Sequence, residues 1–147
     1  MEELLVPSLC TVEKVIQETP DIRTYRLKFK DEALMSKFDW QPGQFVEFSL
    51  MGHGECTFCI ASSSTRKGYF DCSIKRAGIV TADIHSNIDE GDVVGIRGPY
   101  GNWFPVEEIK GKNLLIVGGG SGLAPLRSLI QYCLDSRNDY KDFTILY

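Results

Sequence analysis

A cluster of glycines near the end of the chain has the residue types and spacing that point most directly to chemistry. The apolar run Leu114–Val117 leads into Gly118, Gly119, Gly120, Ser121 and Gly122, followed by Leu123, Ala124 and Pro125. Where a buried strand ends in glycines and a helix begins, backbone amides can approach a pyrophosphate at the positive end of that helix. The segment therefore predicts half of a dinucleotide-binding site. The alternative is a βα connection in which the glycines supply only conformational freedom.

The residues after the glycines predict the elements that would position them. Proline in the first helical turn fits a helix start, and apolar residues recur at helical spacing: Leu126, Leu129, Ile130, Cys133 and Leu134. Residues 143–147 predict a second strand. Two parallel strands and one helix do not make a stable domain, because a parallel sheet needs more strands and cover on both faces. We therefore expect a piece of a longer protein, with residues 111–147 as the incomplete start of an α/β nucleotide-binding domain.

Before residue 110 the pattern changes to short alternating segments separated by Gly, Pro and Asp. Segments of this kind occupy residues 11–16, 24–29, 46–50, 70–75 and 93–96. Such a succession is typical of an antiparallel barrel or sandwich. A short helix with Thr81 as its N-cap is predicted to interrupt it. Trp40 is predicted to lie in the core, and Trp103 and Phe104 are predicted to pack at the exit of this mainly β domain, residues 1–110.

The composition limits the class of protein and its partners. Of the 147 residues, 43% are hydrophobic and 24% are charged, which is typical of a soluble globular protein. A net charge of −4 with scattered basic residues is unlike a nucleic-acid-binding surface, so we expect no nucleic-acid partner. We find no apolar run of roughly 18 residues, and the acidic start Met1-Glu2-Glu3 is unlike a secretory leader. We expect a cytoplasmic protein without a membrane span.

The cysteines allow a second, different interpretation. Five cysteines, an odd number, fit reduced thiols better than a disulfide framework. Cys56 and Cys59 form a C-x-x-C pair, which could be a thiol pair or half of a metal site. A zinc site needs a second pair of ligands, and neither His53 nor His85 stands at a suitable spacing. We therefore predict no metal site.

Several short segments follow one another in a recognisable order: Pro42-Gly43-Gln44-Phe45, Phe58-Cys59-Ile60-Ala61-Ser62-Ser63, Cys72-Ser73-Ile74-Lys75-Arg76, Gly78-Ile79-Val80-Thr81, Gly91-Asp92, Gly98-Pro99-Tyr100-Gly101 and Gly118 to Pro125. Their order and spacing resemble the ferredoxin–NADP reductase superfamily over nearly the whole chain. Residues 54–60 look closer to the flavin subunits of multi-component enzymes than to plant-type reductases. Examples are the gamma subunit of sulfhydrogenases, the flavin subunit of anaerobic sulfite reductase and the electron-transfer subunit of dihydroorotate dehydrogenase. The resemblance implies an antiparallel Greek-key flavin-binding barrel followed by the first β-α-β part of an NAD(P)-binding domain.

The resemblance also implies which residues hold the flavin. In the family an Arg-x-Tyr-Ser segment does so, and the matching positions here are Cys56, Thr57, Phe58 and Cys59. Phe58 keeps the flat surface that stacking on the isoalloxazine requires. Cys59 replaces the serine near flavin N5 by a thiol, a weaker hydrogen-bond donor, and is the candidate catalytic residue. Cys56 replaces the arginine that would neutralise the flavin phosphates.

Two features are expected to compensate for the missing arginine. The amides of Ile79, Val80 and Thr81, which follow Gly78 at the start of a short helix, can bind phosphate. Three residues, Ile74, Lys75 and Arg76, match a segment that flanks the ribityl or adenosine part of the flavin, and two of them are cationic. The resemblance favours FAD. The missing arginine keeps FMN as the alternative.

The function that the resemblance implies is electron transfer from NADH or NADPH through the flavin to an iron–sulfur partner. A nicotinamide hydride would pass to flavin N5, so no acid–base dyad is needed. The residue that separates NAD from NADP, and any cysteine cluster for a [2Fe–2S] centre, would lie beyond Tyr147. The alternative is a flavin-binding electron-transfer or docking module without NAD(P)H activity of its own.

Overall fold

The computed structural model describes residues 5–147, and six strands between Ser8 and Tyr100 form an antiparallel sheet. The strands are β1 (Ser8–Thr19), β2 (Ile22–Phe29), β3 (Phe45–Leu50), β4 (Gly54–Cys59), β5 (Phe70–Lys75) and β6 (Val93–Tyr100). Their order across the sheet is β4-β3-β6-β1-β2-β5. Strand β6 returns to lie between β1 and β3, the non-consecutive order expected of a Greek key. The predicted mainly β, antiparallel fold is confirmed.

One face of the sheet is buried because large apolar side chains occupy every second position of the strands. Tyr25 and Leu27 of β2 and Phe48 of β3 are fully buried, as the alternation predicted. Trp40 is also in the core, and its indole Nε1 donates a hydrogen bond to the carbonyl of Ser62 at 3.0 Å. Each fully buried large apolar side chain contributes about 1.5–3 kcal/mol to stability, so this face holds the sheet together.

The two edge strands of the sheet, β4 and β5, meet just beyond the end of β4. An antiparallel bridge joins Ile60 to Cys72, and the amide of Ala61 donates to the carbonyl of Asp71 at 2.7 Å. Among residues 5–147 this contact, rather than a continuous ladder, is what brings the two edges together. The sheet therefore curls as the predicted barrel requires, while its closure is limited to this point.

Two helices lie between the strands, α1 (Glu32–Lys37) and α2 (Ile79–Asn87). The prediction that Thr81 caps the second helix is wrong, because α2 begins two residues earlier, with Gly78 as its N-cap. The hydroxyl of Thr81 is turned backwards instead and accepts hydrogen bonds from the amides of Ala77 and Gly78 at 2.9 and 2.8 Å. It fixes the turn before the helix.

The last third of the chain folds as predicted, into a strand, a glycine turn, a helix and a second strand. These are β7 (Leu114–Val117), a 3-10 turn at Gly120–Gly122, α3 (Leu123–Asp135) and β8 (Phe143–Leu146), and β7 pairs with β8 in parallel. A second hydrophobic cluster lies between them, built on Val106, Ile116, Leu129, Cys133 and Tyr140. Val106 precedes the boundary expected near residue 110, and that boundary stays a prediction.

Several apolar side chains remain exposed in this part of the molecule. Leu115 and Val117 of β7 are 63% and 65% exposed, on the face opposite Ile116, and parallel sheets normally have both faces covered by helices. Trp103 is 58% exposed, so the prediction that it packs at the exit of the barrel is wrong. Phe104 takes that place, and its ring lies against Gly43. Within residues 5–147 we find no helix with the length and hydropathy needed to cross a bilayer.

Replacing Gly101 by alanine should destabilise the fold. Gly101 has φ of +82°, and a Cβ there would lie 2.5 Å from the ring of Phe45. Gly91→Ala is the control, since Gly91 has φ of +93° but open space around it. Backbone strain should cost about 1–2 kcal/mol in both variants, and the clash should cost Gly101→Ala about 1 kcal/mol more. Urea unfolding measures both free energies, and equal losses would contradict the role given to Phe45.

Candidate functional site

The N-terminus of α2 offers backbone amides to a ligand beside the start of β4. Glycine at position 78 has no side chain to cap the first turn, so the amides of Ile79, Val80 and Thr81 are directed out of the helix end. A Cβ built on Gly54 would lie 3.5 Å from Val80, which shows how closely the helix start approaches β4. The side chain of Ile79 is 83% exposed. Amides at the positive end of a helix dipole can bind an anion such as phosphate.

The four residues predicted to hold the flavin form the end of β4 and alternate between its two faces. Cys56 pairs with Phe48 of β3, whereas Thr57 pairs with Glu47 and Cys59 lies on the same face as Thr57. The hydroxyl of Thr57 donates to the carboxylate of Glu47 at 2.8 Å. Because Cys56 and Cys59 lie on opposite faces of one strand, their side chains do not converge on a single ion, which argues against the metal interpretation of the C-x-x-C pair.

The side chains of Phe58 and Cys59 are both half-buried, which suits a role at the rim of a ligand site. The ring of Phe58 meets Phe48 edge to face, with centroids 5.9 Å apart, so the core fixes its orientation. Burial raises the pKa of the Cys59 thiol. At neutral pH the thiol therefore stays protonated and can act as a neutral hydrogen-bond donor.

The end of β5 places the three residues predicted to flank the flavin in different environments. Ile74 is fully buried, and its carbonyl accepts a hydrogen bond from His85 Nε2 at 2.9 Å, so its side chain belongs to the core. Lys75 is exposed, and its Nζ lies 3.4 Å from the carboxylate of Asp21. The amide of Arg76 donates to the carbonyl of Asp21 at 2.8 Å. Lys75 and Arg76 are thus both exposed, and the charge of Lys75 is paired with Asp21.

The predicted glycine turn lies between β7 and α3, where helix and strand approach closely. Gly118 and Gly119 connect β7 to the 3-10 turn, and Ala124 and Pro125 lie in the first turn of α3. A Cβ on Gly118 would stand 2.5 Å from Leu126 Cδ1, so a larger residue there would force the Leu126 side chain to move. The glycines therefore lie at the start of a helix, as predicted, and Gly120 has the positive φ of +56° that glycine readily adopts.

A cleft of about 220 Å³ opens where the outer face of β2 and β5 meets the start of α3. Lys75 lines it from the sheet, and Gly120, Ser121 and Ala124 line it from the glycine turn. The fold thus brings predicted flavin and nucleotide residues together at one cleft. Phe58 and Cys59 do not line this cleft, nor do the first residues of α2.

Beneath the cleft, a buried carboxylate is held between two arginines. The side chain of Asp71 is 1% exposed. Arg26 Nε lies 3.0 Å from Asp71 Oδ1, and Arg127 Nη1 lies 3.2 Å from Oδ2. The hydrogen bond with Asp71 raises the pKa of the Arg26 guanidinium, which also stacks on the ring of Tyr69 at 3.8 Å. We call Asp71, Arg26 and Arg127 the ion-pair cluster. It carries one positive charge in excess.

Further polar contacts fasten α3 to the segment that follows β4. Arg127 donates to the carbonyl of Ala61 at 2.8 Å, and Ser128 Oγ donates to the carbonyl of Ser62 at 2.9 Å. At the far end of the helix, Arg66 and Asp135 form an ion pair at 3.0 Å. Contacts along the length of α3 therefore attach it to residues 61–66, the segment that begins two residues after Cys59.

Sequence reasoning missed Arg127 and Asp71. Each is a lone charge in an otherwise ordinary amphipathic pattern: Asp71 stands at an outward position of β5, and Arg127 follows Leu126 on the first turns of α3. Outward charges are normally solvated. The sequence could have indicated these two residues only if it had also shown that α3 covers that face of the sheet.

Comparison with known proteins agrees with the fold and with the sequence resemblance. The FAD/NAD-binding domain of nitric oxide dioxygenase from Vibrio cholerae O1 biovar El Tor matches 97% of this chain and 62% of its own with a TM-score of 0.80, at 20% identity. Sulfhydrogenase 1 subunit gamma of Pyrococcus furiosus is 42% identical over 135 residues, 92% of this chain and 46% of the relative. A probable dihydroorotate dehydrogenase B electron-transfer subunit of Methanocaldococcus jannaschii is 34% identical over 85% of this chain and 42% of its own.

The sheet, the glycine turn and the fastened helix together define a ferredoxin reductase-like flavoprotein fold. The chain belongs to the oxidoreductase FAD-binding domain family, which matches residues 9–104. The resemblance to sulfhydrogenase gamma and dihydroorotate dehydrogenase electron-transfer subunits is confirmed. The chain covers less than half the length of each of these two relatives.

Removing the hydroxyl of Thr81 should weaken cofactor binding. Thr81→Ala loses the two hydrogen bonds that fix the turn before α2, while Thr81→Ser keeps them. Each such bond contributes about 0.5–1.5 kcal/mol, so losing both should raise the dissociation constant for FAD about five- to 150-fold in the alanine variant. Quenching of FAD fluorescence measures it. An alanine variant that binds FAD as tightly as the serine variant would contradict the assignment of the helix start as the phosphate site.

Proposed function

We propose that this chain binds FAD along β4 and the start of α2, and that the parent protein passes electrons from NADH or NADPH through the flavin to an iron–sulfur partner. In this proposal residues 1–110 form the flavin domain and residues 111–147 begin the NAD(P)-binding domain. The single observation that carries the flavin site is the start of α2, where amides without a side-chain cap lie beside β4.

The residues of β4 fit a flavin in shape more than in charge. Phe58 supplies a half-buried aromatic surface held by Phe48, and Cys59 supplies a neutral thiol donor. Cys56 supplies no charge for the phosphates. The uncapped amides of Ile79 and Val80 beside β4 supply partial positive charge instead, which supports a dinucleotide flavin despite the missing arginine.

The chemistry itself belongs to the bound groups, because a flavin accepts a hydride and releases single electrons. The chain itself aligns the nucleotide with the flavin and excludes water from the place where they meet. The glycine turn lets a nucleotide approach the backbone, and the hydrogen bonds from the first turns of α3 to the carbonyls of Ala61 and Ser62 set the position of the turn relative to β4. The described residues supply both elements without a general acid or base.

The proposal also includes an iron–sulfur partner and a reducing compartment. The relatives are named as a sulfhydrogenase subunit and an electron-transfer subunit, which supports a place in a multi-component oxidoreductase with an iron–sulfur partner. The five cysteines, all within residues 5–147, are unpaired thiols. Unpaired thiols support a reducing compartment such as the cytoplasm.

The proposal predicts that the purified holoprotein is yellow and that NADH or NADPH bleaches its flavin band at about 450 nm under anaerobic conditions. Dithionite provides the control for full reduction. A yellow protein that dithionite bleaches but neither nucleotide does would support the alternative function, an electron-transfer or docking module without NAD(P)H activity. A colourless protein that cannot be reconstituted with FAD would contradict the flavin site.

Changing the Cys59 thiol to a hydroxyl should alter the redox potential of the flavin. A hydroxyl is a stronger hydrogen-bond donor than a thiol, and a change of about 0.5–1.4 kcal/mol in one hydrogen bond corresponds to about 10–30 mV for a two-electron couple. Spectroelectrochemical titration of Cys59→Ser measures this shift. Cys59→Ala, which removes the donor altogether, should shift the potential in the opposite direction. An unchanged potential in Cys59→Ser would rule out a contact with the reactive part of the flavin.

A further inference from the structure

We propose that Arg127 is a positioning residue for hydride transfer: it fixes the start of α3, and with it the glycine turn, relative to the end of β4. The inference rests on the proposed function, since it assumes a nucleotide at the turn and a flavin at β4. The contacts that support it are those of one side chain on α3.

The guanidinium of Arg127 joins three parts of the chain. It donates to the carbonyl of Ala61 at 2.8 Å and to the carboxylate of Asp71 at 3.2 Å. Ala61 lies two residues after Cys59, and its amide is bonded to the carbonyl of Asp71 at 2.7 Å. Arg127 is three residues after Ala124, and both residues line the cleft. A single side chain thus links the first turns of α3 to both edge strands of the sheet.

The contact between Arg127 and Asp71 is rigid because the buried carboxylate of Asp71 cannot exchange this hydrogen bond for one with water. Asp71 is 1% exposed and is held from the other side by Arg26 at 3.0 Å. Arg127 itself is 30% exposed, so only its carboxylate partner is fully desolvated. Both hydrogen bonds come from one nitrogen, Nη1, whose two N–H bonds are fixed in the plane of the guanidinium, whereas the N–H bonds of a lysine ammonium rotate at the end of a flexible stem.

A second ion pair between the same two segments provides a matched comparison. Arg66 and Asp135 also join the 61–66 segment to α3, at 3.0 Å, but eight residues later, or about 12 Å further along the helix. Both partners are more exposed than Asp71, at 40% and 28%. Loss of this pair would release the end of α3 and leave its start in place.

Hydride transfer is sensitive to such a release. A misplacement of about 1 Å can cost about a hundredfold in rate, while nucleotide contacts with the turn itself remain. Loss of Arg127 should therefore lower the limiting rate of flavin reduction far more than it weakens nucleotide binding. A residue that served stability alone would not separate these two quantities.

The test uses the holoprotein in anaerobic stopped-flow experiments with NADH and NADPH. In Arg127→Gln the limiting rate constant for flavin reduction should fall about ten- to a hundredfold, with the dissociation constant of the nucleotide changed less than about twofold. Arg127→Lys should recover part of the rate. Arg66→Gln should stay within about twofold of the wild type in both quantities. Equal effects of Arg127→Gln and Arg66→Gln would overturn the inference, as would a loss of affinity as large as the loss of rate.

Hydrogen exchange provides a readout that does not depend on turnover. Amides of residues 118–126 should exchange faster in Arg127→Gln than in Arg66→Gln or the wild type, with the core strands unchanged. Should Arg127→Gln fail to fold, Arg127→Lys carries the same comparison. Unchanged exchange at the turn overturns the inference. A wild type that neither nucleotide reduces refutes the proposed function, and the exchange comparison then still decides whether Arg127 fixes the turn.

Discussion

The side chain of Asp71 is almost completely excluded from water, and a buried carboxylate is stable only if it is paired and hydrogen-bonded. Arg26 of β2 and Arg127 of α3 meet this requirement from opposite sides. The charge therefore does more than stabilise one strand: it can be buried only if the helix covers the outer face of the sheet. Removing one partner of such a pair costs about 3–5 kcal/mol, because the other charge is left unpaired. The position of α3, and of every residue that precedes it in the glycine turn, depends on this carboxylate.

The same requirement explains why two sites that are distant in sequence meet in space. The edge strands β4 and β5 touch at Ile60 and Cys72, and the segment just beyond this bridge provides the carbonyls that Arg127 and Ser128 bind. The curl of the sheet and the docking of the helix therefore share one set of residues. The cleft at the glycine turn forms because α3 docks on the sheet where the two edge strands meet.

Charge in the candidate flavin site comes mainly from the backbone rather than from a side chain on β4. Position 56 is a cysteine, and the nearest cation of β5, Lys75, faces the cleft beside the glycine turn. The amides at the start of α2 remain beside β4, held there by the turn that Thr81 fixes. A site built in this way depends on the geometry of one short helix, because partial charges act over a shorter range than a guanidinium.

The sequence by itself determined the antiparallel sheet, the strand–turn–helix unit and the order of the motifs, because alternation and glycine placement are local signals. It also indicated a short helix near Thr81, and the roles that it gave Phe58 and Cys59 at a flavin stay predictions. It misplaced the cap of α2, because a threonine can bond either forwards or backwards within one turn, and Thr81 turns back to Ala77 and Gly78. It also missed the exposure of Trp103, which depends on the elements that pack around it. Only the tertiary structure decided that Asp71 and Arg127 are partners. An outward charge looks solvated until another element covers it, and which element covers it is a property of the fold.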